Sequence, residues 1–126
     1  MPRTSFPFHI GFVPNAEAWE ETRKKYDIPV TETYPSADAR CAYFDGEGKT
    51  ENFCLVTINH RADWDYEFTL ALLVHEAVHC FQFLCMTIGE REPSIEFEAY
   101  TIQDISTFLF NAFKETRGGT EKEATD

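Results

Sequence analysis

The sequence predicts an α+β fold: a small antiparallel hairpin packed on one buried helix, with a second long helix after it. Three observations lead there. Phe53-Cys54-Leu55-Val56-Thr57-Ile58 is a run of strand-forming residues, with the turn residues Asp45-Gly46-Glu47-Gly48 just upstream. Phe68 to Ile88 is apolar over a helical length and is followed by Gly89. From Ser94 on, apolar residues recur with helical spacing.

Taken in order, Phe6 to Val13 reads as a short edge strand or an extended arm. Asn15 is a helix N-cap with Glu17 in the first turn, and that helix runs to about Tyr26, before Pro29. Val30 to Ala37 is loop. Arg40 to Phe44 and Asn52 to Asn59 form the hairpin. Asp63 caps the central helix, which extends from about Trp64 to Ile88 and is apolar on all sides, as suits an element in the middle of a fold. Glu90-Arg91-Glu92-Pro93 turns the chain, and Ser94 starts a helix reaching about Thr116. The chain is expected to form one domain over residues 1–119, with a polar, disordered tail over 120–126.

Composition narrows the function classes. The 126 residues carry a net charge of −11, which repels phosphate backbones and argues against a nucleic-acid partner. Arg23-Lys24-Lys25 follows Glu17, Glu20 and Glu21 on the same helix and reads as a solvated, ion-paired face. The apolar run has the length of a membrane span, yet His75, Glu76, His79 and Gln82 at its centre would be expensive in lipid, so a buried core helix is expected and no membrane partner. The four cysteines, Cys41, Cys54, Cys80 and Cys85, form no C-x-x-C pair. Cys41 and Cys54 flank the hairpin and can face each other across it. With no secretory leader pattern, free thiols and a cytoplasmic location are expected.

The chemistry concentrates in His75-Glu76-Ala77-Val78-His79. Residues four apart on a helix are offset by about 40°, so both imidazoles project from one face and suit a Zn²⁺ ion. Glu76 projects about 100° away, where it can reach a metal-bound water as a base. A catalytic zinc usually takes three protein ligands. On the last helix Ile95, Ala99, Ile102, Ile105, Leu109 and Phe113 form an apolar stripe, and Glu98 falls inside it. A carboxylate on an inward face needs a partner, which makes Glu98 the favoured third ligand, with Glu96 and then His60 as competitors. Gln82 projects within about 20° of His75 and can support a ligand from behind. Tyr100 projects about 200° from Glu98 and is directed elsewhere. Tyr34, Tyr43 and His60 stay open as stabilisers of a reacting carbonyl.

On these residues the chain resembles zinc-dependent metallopeptidases of the gluzincin type. In that group H-E-x-x-H lies on one helix and a glutamate on a following helix completes the site. Glu98-Ala99-Tyr100 is similar to the E-A-N-type signature of small bacterial and phage metallopeptidases, with Tyr100 where asparagine is common. The resemblance spans about Asn52 to Asp104. It implies a minimal zincin-like fold, a peptide or protein substrate, and an edge strand bordering the cleft, a place that Asn52 to Asn59 would occupy. Metal-activated water would attack the peptide bond with Glu76 as general base. A zinc protein without catalysis is the competing expectation. Deformylases also use H-E-x-x-H, but take a cysteine from an E-G-C-type segment, a context that Cys41 and Cys54 lack.

Overall fold

A computed structural model describes residues 3–4, 9–46 and 52–116. The order of elements is β1 (Arg3–Thr4), β2 (His9–Val13), α1 (Ala16–Lys25), β3 (Ala39–Phe44), β4 (Phe53–Ile58), α2 (Tyr66–Ile88) and α3 (Ile95–Thr116). The class is α+β. The sheet order is β1-β2-β4-β3, three full strands with a two-residue edge.

The hairpin forms as expected: β3 pairs antiparallel with β4, Cys41 opposite Val56 and Tyr43 opposite Cys54. Cys41 and Cys54 are therefore diagonal neighbours on one face rather than a direct pair. The sheet is mixed, however, and not antiparallel as the sequence suggested. β2 runs parallel to β4, with Ile10 opposite Cys54 and Val13 opposite Thr57. A parallel pairing needs a long crossover, and α1 with the loop after it supplies one. The segment expected at an edge thus lies inside the sheet, and Ile10 to Val13 is buried throughout. Phe6 to Phe8, the Glu47-Gly48 part of the turn, and the expected tail lie outside the described residues.

β4 is buried at all six positions because helices cover both of its faces. Phe53 and Leu55 meet Val13, Trp19 and Ile28 beneath α1. Cys54, Val56 and Ile58 meet Leu73, Ala77, Cys80, Leu84, Leu109 and Phe113 on the side of α2 and α3. As the inner strand, β4 cannot border a cleft. The edge on this side of the sheet belongs to β3, which corrects the place assigned to Asn52–Asn59.

Asn15 caps α1, its side-chain oxygen accepting the Ala18 N–H at 2.8 Å. The cap of α2 is Asp65, not Asp63, whose carboxylate instead holds Arg61 at 3.2 Å. α2 ends at Gly89, which turns the chain with φ +73°. Ser94 Oγ accepts the Phe97 N–H at 3.1 Å and starts α3. α2 is long and apolar enough to cross a membrane by length and composition. Here one side packs on β3, where Phe83 stacks on Tyr43 at 4.8 Å, and another packs on α3, where Phe81 meets Phe97 at 5.7 Å. It is not buried all round: Phe68, Val74, Met86 and Ile88 are exposed.

Candidate functional site

His75 and His79 lie side by side on α2, ring centroids 4.9 Å apart and planes nearly perpendicular. Both face away from the core, His75 exposed and His79 half-buried. The i,i+4 spacing produces this pairing unaided. Gln82 stands one turn beyond, its amide oxygen 2.9 Å from His79 Nδ1. With that nitrogen carrying the ring proton, Nε2 keeps its lone pair for a metal.

Glu76 sits between the imidazoles and the sheet, with 4% of its surface exposed. Burial, the largest influence, raises its pKa; His75 and His79 oppose this, as does a backbone hydrogen bond from Cys41. Strand geometry explains that bond. Asn59 N–H donates to Asp38 O at 2.8 Å, and in an antiparallel ladder the next residues alternate outward. The N–H groups of Ala39, Cys41 and Tyr43 therefore leave β4 and point to the free edge, where α2 presents Glu76. A groove of about 300 Å³ opens at this edge, lined by Asp38, Ala39, Phe68, Ala71, Leu72, His75 and Glu76. Sequence reasoning missed Asp38; it precedes the edge strand, and only the three-dimensional position of that strand puts it in the groove.

The structure does not bring Glu98 to the histidines. Phe81 points to α3, and His79, two positions earlier, projects about 160° away from it around α2. Glu98 is exposed near the other end of α2, where its charge helps raise the pKa of Cys85, second to burial and Glu90. The apolar stripe expected to turn it inward is buried only from Ile105 onward. Ile95 is 82% exposed and Glu96 is exposed as well, because at this end of α3 it is Phe97 that turns inward, onto Phe81. His60 packs against Trp64 and Phe113 at 5.6 and 5.4 Å and lines a different groove. Tyr34 and Tyr43 are engaged elsewhere: Tyr34 OH lies 2.7 Å from Ile58 O, and Tyr43 OH accepts from Asn52 Nδ2 at 2.7 Å.

Beneath Glu76 lies a feature that no sequence spacing announces. Cys41 of β3, Cys54 of β4 and Cys80 of α2 place their sulfurs within 4.8 Å of one another, an arrangement able to hold a metal ion. Cys41 and Cys80 Sγ are 3.5 Å apart. All four cysteines are free thiols. Among the described residues, His75, His79 and any acid form no comparably tight set.

No family model, curated protein or solved structure matches this chain. The functional reading therefore rests on the geometry.

Proposed function

We propose that the chain is a zinc-dependent metallopeptidase on a minimal zincin-like fold, with His75 and His79 as metal ligands and Glu76 as general base. One observation carries the reading: a buried carboxylate stands beside two adjacent imidazoles, and with one of them, His75, it lines a groove at a strand edge. The two imidazoles have the donor chemistry zinc takes, and Gln82 leaves His79 in the tautomer that can ligate. When bound, Zn²⁺ supplies a Lewis acid and makes water acidic enough to act near neutral pH.

This chain's own residues do the rest. A substrate peptide adds in extended form along the outer edge of β3, using the backbone groups of Ala39 and Tyr43. Glu76 Oε takes a proton from the attacking water and delivers it to the leaving amine. A carboxyl whose pKa is raised by burial suits this exchange, because it holds a proton more readily than an exposed one.

A second reading is favoured by the position of Glu98. Without a glutamate from α3 the histidine pair has two protein ligands instead of the three usual for catalysis, and the chain would then bind zinc without turnover. Hydrolysis of a mixed peptide library by zinc-restored protein separates the two. Cleavage abolished by a chelator and recovered on zinc addition supports the peptidase; uncut peptides at full zinc occupancy support the binding protein.

A further inference from the structure

We propose that Cys41, Cys54 and Cys80 form a second metal centre, separate from the histidine pair, for a thiophilic d¹⁰ cation that ties β3 and β4 to α2. The three residues are far apart in sequence and come from three elements, so the fold assembles the group. Cys41 and Cys54 face the helix from adjacent strands, and Cys80 closes the triangle from above. Thiolates about 2.3 Å from one ion stand roughly 3.8–4.0 Å apart at tetrahedral or trigonal angles. The observed sulfurs, one pair at 3.5 Å and all within 4.8 Å, bracket that separation. An ion needs shifts of less than an ångström.

The donor set selects the ion class. Among the described residues no imidazole or carboxylate joins the three sulfurs at this distance, so the ligands are all soft, which suits Zn²⁺ or Cu⁺ and disfavours hard cations. A disulfide would use two of the sulfurs and leave the third idle. There is also a way in. Cys41 is half-buried and lines a groove of about 490 Å³ with Trp19, Glu32, Arg40, Tyr43 and Phe83. An ion here would fix the Cys41 backbone, which donates to Glu76. The centre would thus brace the proposed hydrolytic groove without entering it.

The test uses the full chain with His75→Ala and His79→Ala, which removes the other zinc ligands. The reduced protein is titrated anaerobically with Zn²⁺, Cd²⁺ and Cu⁺ in separate arms. The expected result is one ion per chain, with a thiolate-to-metal charge-transfer band for Cd²⁺ or Cu⁺. Cys41→Ser, Cys54→Ser or Cys80→Ser should each weaken binding at least as much as loss of an outer-shell partner does, about 10–100-fold, while Cys85→Ser should not. Should a serine variant fail to fold, thiol counting in the chain carrying only the two alanine substitutions decides: one equivalent of ion should protect three of the four cysteines from alkylation. Absence of a band together with unchanged alkylation in all arms would overturn the proposal, as would equal binding after loss of any of the three thiols.

Discussion

Thr57 is wholly buried beneath α1, and its hydroxyl has no hydrogen-bond partner among the described residues. A buried hydroxyl left unpaired costs about 1–3 kcal/mol, and valine has nearly the same shape. Thr57→Val should therefore raise stability by about 1 kcal/mol in denaturant unfolding. Tyr34 shows the opposite case. Its hydroxyl lies 2.7 Å from Ile58 O, 3.0 Å from Val13 O and 3.3 Å from Ile58 N, clamping the ends of the parallel pair. Tyr34→Phe removes the hydroxyl from Ile58 O and Val13 O and should cost about 1–3 kcal/mol. Burial raises the Tyr34 pKa above its ordinary value of 10.0, so the folded state holds this proton more tightly than the unfolded one. The clamp is then fully present below pH 10.0 and fades as pH rises through the folded-state pKa. Stability curves of the two proteins should converge in alkali; parallel curves there would contradict the assigned role.

Among the elements, the α2–α3 hairpin decides what the site contains. Its turn depends on Gly89, whose φ of +73° is left-handed while a Cβ there would touch nothing within 4 Å. Gly89→Ala would meet only the conformational penalty, about 1–2 kcal/mol, and melting should show that loss without a change in fold. The way α3 meets α2 also explains why Glu98 stands away from the histidines. The periodicity of α3 correctly marks one face as apolar, and Ile105, Leu109 and Phe113 are buried on it. Periodicity cannot show which residue of the first turns meets the neighbour: Phe97 packs on Phe81, while Ile95 and Tyr100 are 82% and 63% exposed. Glu98→Ala is accordingly expected to leave zinc affinity within about twofold of the parent, since surface changes away from the site are worth less than about 0.5 kcal/mol. His79→Ala should remove the histidine-held ion and leave the ion at the cysteines in place. Calorimetric titration measures both, and loss of zinc from the Glu98 variant would restore the ligand set that the sequence suggested.

For the molecule as a whole, the parts readable from sequence were those governed by local rules. The caps at Asn15 and Ser94, the hairpin pairing, the extent of α2 and the juxtaposition of His75 with His79 follow from spacing of a few residues. The parallel insertion of β2, the edge position of β3, the presence of Asp38 in the groove and the meeting of three cysteines are long-range results of topology. No spacing of a few residues encodes them. These long-range features place a buried acid, a strand edge and two imidazoles together, and on that arrangement the peptidase proposal depends. Its most direct test is turnover by zinc-loaded Glu76→Gln beside the zinc-loaded parent. The substitution keeps the shape and leaves both imidazoles in place. Equal zinc content with peptide cleavage only by the parent is the predicted result; cleavage by the variant at the parent's rate would contradict it.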